Sequence, residues 1–240
     1  MESKDTILVA KGISKHFGGV QAIKELDLVI EKNKITGLIG SNGAGKTTFF
    51  NLVCGLFPID SGTIEFDGSV INKLKSYQIA RLGIARTYQT LNNFPRLDVF
   101  ENVRAGIITK YLNEKDETAK VHEMLELLGI SHLSKINITN ITPVARKLVE
   151  VGRALISSPK LVLFDETMAG FNEEETVHLI NTIRDINKQG VTFCIIGHTM
   201  RAIMDVSDTI IAMHEGSKFA EGTPEEIQKN KDVQRIYVGE

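Results

Sequence analysis

The chain has 240 residues, 42% of them hydrophobic and 24% charged, with a net charge of −2. That is enough apolar material for a real core, in one large domain or two small ones. The near-neutral balance excludes a nucleic-acid binder led by electrostatics. No apolar run is long enough to cross a bilayer, the longest being short strings such as LVLF. The N-terminal MESKDTILVAKG carries no signal-peptide pattern, so a cytosolic protein is expected, touching a membrane only through a partner. Cys54 and Cys194 lie in the apolar strings FFNLVCGLF and VTFCII and read as small core residues in a reducing compartment. The six histidines show no close metal-ligand spacing. NIT occurs twice, at 137–139 and 140–142, but a glycosylation pattern has no meaning in a cytosolic protein.

Strand and helix signals alternate along the chain. ILVAKGIS and LDLVI read as strands, and KITGLIG, 34–40, is a strand running into a glycine-rich turn. GKTTFFNLVCGLF reads as a helix and GTIEFD as another strand. A mainly polar middle follows, whose clearest helix is ETAKVHEMLELLG, with Val121, Met124, Leu125 and Leu128 at helical spacing and Gly129 as its stop. ITPVARKLVEVGRAL, 141–155, begins as a helix should, with Thr142 as cap and Pro143 at the first helical position. Then come strand KLVLFDE, helix EEETVHLINTIRDINKQG, strand VTFCIIGH, two short strands DTIIAMH and SKFAEG, and a final helix opened by the capping-box pattern TPEE. Such alternation implies an α/β fold around a parallel sheet. No repeat or interdomain linker stands out, so 1–240 reads as a single domain, with roughly 90–158 as a helical insertion.

GSNGAGKTT, 40–48, carries the strongest chemical signal. It fits G-x-x-x-x-G-K-[ST] and sits between a strand and a helix, the context that gives the pattern its meaning. Phosphate oxygens need many donors at short range. The backbone N–H groups of Gly40, Ser41, Asn42, Gly43, Ala44, Gly45 and Thr48 can supply them, helped by the partial charge of the helix N-terminus. Lys46 brings a full charge to the β- and γ-phosphates, and the Thr47 hydroxyl is placed to bind Mg²⁺. LVLFDE, 161–166, is the second half: an apolar strand that delivers Asp165 where Mg²⁺ needs a carboxylate. Glu166 follows and can polarise a water for in-line attack on the γ-phosphate. Alone, such a string is more often just a strand leaving the core; after a phosphate loop it gains this meaning. IIGH, 195–198, repeats the design, releasing His198 at a strand's carboxyl end, where open α/β sheets bind ligands.

At this point the chain resembles the nucleotide-binding subunits of ABC transporters over nearly its whole length. The resemblance implies a P-loop NTPase core with an N-terminal antiparallel β subdomain and an inserted α-helical subdomain. GSNGAGKTT is similar to the Walker A segment and LVLFDE to Walker B. It implies that Phe17, in KHFGG, stacks on adenine; the lesser alternative for the residue alone is a core aromatic. Gln89, in RTYQTLNNFPRLDVFENV, falls at the Q-loop position that touches Mg²⁺ and the permease side, although alone it would be an ordinary polar loop residue. AGFN, 169–172, fits the loop that crosses to the partner subunit, and His198 fits the switch histidine. FGGVQAI, GIARTYQ, FPRLDVFENV and GTPEEIQKNKDVQRIYVGE resemble the ATPases of branched-chain amino acid importers. The last stretch also resembles the ATPase of lipopolysaccharide export.

The implied mechanism has two such domains head to tail with two ATP molecules between them. Each ATP touches the P-loop of one subunit and the signature segment, usually LSGGQ, of the other. Closing the sandwich pulls on membrane subunits and hydrolysis reopens it. This chain departs at the signature. Anchoring on EVGRAL puts LSGGQ opposite Ile141, Thr142, Pro143, Val144 and Ala145. Thr142 can replace the serine hydroxyl, but Pro143 has no N–H, Val144 is branched where glycine allows close approach, and Ala145 cannot act as glutamine does. Losing one donor to developing charge costs about 10²–10³ in rate, so this signature should support hydrolysis poorly. Thr167 stands where the family usually has proline.

The expectation is therefore an ATP- and Mg²⁺-dependent ATPase in an asymmetric heterodimer. Its expected partners are a second ABC ATPase subunit with an intact signature, transmembrane permease subunits and, for an importer, an external substrate-binding protein; no nucleic acid is expected. It would sit at the cytoplasmic face of the membrane through the permease. Two other readings stay open: an ATP-dependent clamp with little hydrolysis, and the ATPase of a lipid exporter.

Overall fold

The computed structural model describes residues 5–89, 92–107, 113–197 and 200–238. Two long strands open it, β1 (Thr6–Phe17) and β2 (Val20–Glu31). In β2 every second residue from Leu26 to Ile30 is buried, the period that turns one face of a strand to a core. Next come β3 (Ile35–Gly40), α1 (Lys46–Val53), β4 (Ser61–Phe66), β5 (Ser69–Val70), α2 (Ser76–Leu82) and β6 (Ile84–Arg86). The middle of the chain holds α3 (Val99–Arg104), α4 (Glu114–Leu127) and α5 (Pro143–Leu155), with two 3₁₀ turns before α5. The rest is β7 (Leu161–Asp165), α6 (Glu173–Lys188), β8 (Thr192–Ile196), α7 (Met200–Val206), β9 (Thr209–His214), β10 (Ser217–Gly222), α8 (Pro224–Lys229) and α9 (Lys231–Val238).

One sheet, in the order β2-β1-β4-β5, is antiparallel throughout. The other runs β10-β9-β3-β8-β7-β6. Four parallel pairings join β9, β3, β8, β7 and β6, as the alternation of strands and helices implies, while the edge strand β10 turns back antiparallel on β9. β3, β7 and β8 are buried at every residue, as strands covered on both faces must be.

Alternation along β7 separates two cores. Leu161 and Leu163 face a cluster with Phe49 and Phe50 of α1 and with Ile23 and Phe66 of the antiparallel sheet. Val162 and Phe164 face the other way, into a cluster with Val103, Leu125, Val149 and Ile183. The helices between β6 and β7 thus share a core with the parallel sheet. Cys194 is fully buried and Cys54 partly so, and burial pushes the Cys54 thiol up to about 11, so both stay neutral thiols.

Candidate nucleotide site

Because β3, β6, β7 and β8 run in parallel, their carboxyl ends open on one edge. Arg86 pairs with Leu163, and Asp165 with Ile196, so the segments that follow leave the sheet side by side. After Gly40 the chain turns through Ser41–Gly45 into α1. Gly45 has φ 99°, and a Cβ there would lie 2.7 Å from the Ala22 carbonyl oxygen, so both backbone and space require glycine. Asn42, Gly43, Ala44, Gly45, Thr47 and Thr48 line a cleft of about 870 Å³ that also takes in Gln89 and Glu166.

Lys46 is buried, and its Nζ donates to the carbonyls of Gly40 at 2.6 Å and Ser41 at 3.0 Å. Burial lowers its pKa, opposed by the charges of Glu166 and Asp165. An arriving phosphate would offer this ammonium a full negative charge in place of two carbonyls. The Thr47 hydroxyl donates to Asp165 Oδ1 at 3.4 Å, a long contact that leaves both oxygens side by side. Two hard oxygen donors from the protein, with phosphate and water making up the rest, are what Mg²⁺ asks of such a site, so the residues fit the metal. Asp165 is 1% exposed, and burial raises its pKa, opposed chiefly by the guanidinium of Arg86.

Glu166 stands directly after β7 with φ 53°, in the left-handed region that a non-glycine residue adopts only when held there. Its N–H donates to the Ile196 carbonyl at 2.9 Å, and its Oε2 accepts from Gln89 Nε2 at 2.8 Å. The structure therefore brings Lys46, Thr47, Gln89, Asp165 and Glu166 to one place. It does not bring Phe17 there. That ring is 40% exposed outside the cleft lining, edge-on to Phe57 at 5.1 Å, while Val20 and Gln21 line the cleft instead. Gly40 and Ser41 contribute carbonyls to Lys46 rather than lining the cleft. His198 lies outside the described residues.

At the start of α5, the Thr142 hydroxyl accepts the Ala145 N–H at 3.2 Å, and Pro143 has none. Val144 is thus the one N–H of Pro143–Ala145 taken by neither cap nor proline. Three contacts escaped the sequence. Lys147 donates to the Ala169 carbonyl at 2.6 Å, tying α5 to the AGFN loop. Thr167, buried, shares a 2.7 Å hydroxyl contact with Thr87, which also accepts the Asp165 N–H at 3.2 Å. Arg86 bonds Asp165 directly. The available signal for Arg86 was a basic residue at the end of a strand three places before Gln89; no spacing marks Lys147 or Thr87.

A sequence profile described as ABC transporter matches residues 23–169, and one described as branched-chain amino acid ATP-binding cassette transporter matches 217–240. The probable branched-chain amino acid transport ATP-binding protein LivG of Archaeoglobus fulgidus is 34% identical over 97% of this chain and 95% of its own. The high-affinity branched-chain amino acid transport ATP-binding protein LivG of Salmonella typhimurium is 32% identical over 98% of both. The lipopolysaccharide export system ATP-binding protein LptB of Haemophilus influenzae is 34% identical over 98% of both. Among solved structures, a nucleotide-free ATP-binding cassette of an ABC transporter superposes with a TM-score of 0.88 at 28% identity, over 98% of this chain and 100% of that one. A cassette in its ADP conformation superposes at 0.87 and 28% identity, over 98% and 99%. With a shared fold over its full length and a phosphate cradle built at the shared sheet edge, this chain belongs to the ABC transporter family, as one of its ATP-binding subunits.

Proposed function

We propose that this chain powers import of branched-chain or related amino acids, hydrolysing ATP with Mg²⁺ as one half of an unequal pair of ATPase subunits. The observation that carries the reading is the convergence of Lys46, Thr47, Gln89 and Glu166 in a single cleft, with the buried Asp165 carboxylate against the Thr47 hydroxyl. Thr47 and Asp165, with Gln89, would hold Mg²⁺, which when bound screens phosphate charge and draws it from the attacked phosphorus. Lys46 leaves its two carbonyls for the β- and γ-phosphates. Glu166, oriented by Gln89, accepts a proton from the attacking water. His198 would meet the γ-phosphate, and Phe17 would stack on adenine once its ring turns toward the cleft. The whole chain acts as one ATPase domain, with roughly 90–158 as its helical arm.

The surface supports a permease partner. No helix among the described residues is long and apolar enough to cross a membrane. Behind the Q-loop a groove of about 680 Å³ opens between the parallel sheet and α5, walled by Tyr77, Tyr88, Phe94 and Arg153. This is where permease subunits dock and hold the chain at the cytoplasmic face, with an external binding protein on the far side. The profile match at 217–240 favours import over the lipid export named in one relative.

The poor signature favours a second reading, a clamp that binds ATP mainly to dimerise. ATPase measured with and without the partner, then with Glu166→Gln, separates them. An importer ATPase is expected to turn over in the pair and to lose about 10²–10⁴ in rate on the substitution. Tight ATP-driven dimers whose slow turnover ignores Glu166→Gln would mark the clamp.

A further inference from the structure

Arg86 sits at the end of β6 with its side chain 5% exposed, and it touches two sites at once. One terminal nitrogen donates to Asp165 Oδ2 at 2.8 Å, and the other to Asn51 Oδ1 of α1 at 2.6 Å. The guanidinium lies 4.9 Å from the Tyr88 ring centre and 5.6 Å from that of Phe50. Arg86 and Tyr88 also line the groove behind the Q-loop. We propose that Arg86 is the positioning residue of the metal site: it fixes the Asp165 carboxylate so that Oδ1 is presented beside Thr47, and it joins that carboxylate to the docking groove. The inference rests on the ATPase reading and adds a residue to it.

The physical reason is the geometry of the fork. A planar guanidinium can bond Asn51 and Asp165 together, which sets the angle of the carboxylate as well as its charge. Lysine carries its three donors on one nitrogen and cannot hold the two acceptors in that planar, forked geometry. Asp165 has no solvent at its side chain, so without Arg86 the inner oxygen is a buried anion lacking its ion-pair partner. Such a carboxylate swings toward another donor, and Oδ1 is no longer held beside Thr47 for the metal. Tyr88 packs over the same guanidinium one residue before Gln89, so an occupant that displaces Tyr88 reaches Asp165 through one side chain.

The test is Arg86→Met, which keeps the stem packed between Phe50 and Tyr88 and removes charge and donors. A fluorescent ATP analogue is titrated onto the purified full chain in EDTA, then at increasing Mn²⁺, with Mn²⁺ binding read independently by its EPR signal. Metal-free nucleotide binding is expected to stay within twofold of wild type, while half-saturating Mn²⁺ rises about tenfold. Arg86→Lys is expected to fall between the two. Mn²⁺ curves for Arg86→Met that coincide with wild type overturn the role of Arg86 while leaving the nucleotide site standing. A wild-type chain that binds no nucleotide overturns both. Equal loss of metal-free and metal-dependent binding makes Arg86 a general packing residue and also overturns the inference.

Discussion

Thr167 is the residue where departure and compensation can be matched atom for atom. The family resemblance puts a proline as the usual residue after Glu166, and a proline there would bring no hydroxyl. Here the hydroxyl is buried 2.7 Å from that of Thr87, which in turn accepts the N–H of Asp165 at 3.2 Å. The departure thus ties the segment just before Gln89 to the strand that carries Asp165. Thr167→Val keeps the shape and removes the hydroxyl, leaving Thr87 with one partner fewer. It is expected to cost about 1 kcal/mol in denaturant unfolding, with metal-free nucleotide binding unchanged. An unaltered midpoint would show that the contact carries no stability. The sequence exposes Thr167 as unusual but not its partner, because Thr87 lies 80 positions away and nothing in either local string points to the other.

Among the elements, close approach and charge bridges decide where the helices and sheets lock. Gly106, just past α3, lies so near α5 that an added Cβ would run into the Arg153 carbonyl and stand 2.7 Å from Ile156 Cγ2. Gly106→Ala is therefore expected to destabilise by about 1–3 kcal/mol, because backbone rather than a flexible side chain must yield; a thermal melt within 1 °C of wild type would contradict it. Asp67, in the turn between β4 and β5, accepts from Lys32 after β2 at 2.8 Å and from Lys160 before β7 at 2.6 Å, bridging the two sheets. These lysines, with Lys160 first, hold its carboxyl down to about 2. Since the folded value lies below the ordinary one, its contribution is full above about pH 4 and vanishes as pH falls toward 2. Asp67→Asn should lower stability by about 0.5–1 kcal/mol at pH 7, the side chain being partly solvated, and the gap from wild type should close by pH 2. A gap that persists there would assign the effect to packing. The elements that carry long periodic or fully apolar strings, such as α4, α5, β7 and β8, were legible in the sequence. β6, α2 and α3 were not, since three to seven residues hold too few turns or alternations to show a period. The C-terminal helix expected from TPEE proves to be two, because Asn230 takes an extended backbone and its side chain accepts the N–H groups that open α9. The candidate site was legible wherever it depends on a strand end followed by glycine or carboxylate. It was not where contacts cross between distant segments, as with Arg86, Lys147 and the packing of Phe17 on Phe57.

At the scale of the whole molecule, the question is which ATP the start of α5 serves. The helix itself is sound, capped by Thr142 with proline at its first position. The Thr142 hydroxyl accepts the Ala145 N–H and keeps its own proton to donate, but Pro143 removes an N–H and the cap takes that of Ala145, so the first turn offers a phosphate fewer donors than the usual signature. Pro143→Gly returns an N–H, Val144→Gly lets the backbone come close, and Ala145→Gln adds an amide donor. If two chains pair head to tail, the benefit must appear at the P-loop of the opposite copy, and this separates the pair from any intramolecular effect. A chain that combines the three substitutions with Lys46→Ala offers a good signature and a dead phosphate loop; the unaltered chain offers the reverse. Each alone is expected to turn over slowly, while the mixture should gain at least about tenfold in ATPase, a fraction of the 10²–10³ that one such donor contributes. Mixing-ratio curves should peak near equal amounts, because each active site needs one chain of each kind. If activity instead rises only when the restored signature and an intact Lys46 share one chain, the signature acts within its own subunit, and the unequal pair has no basis in this helix start.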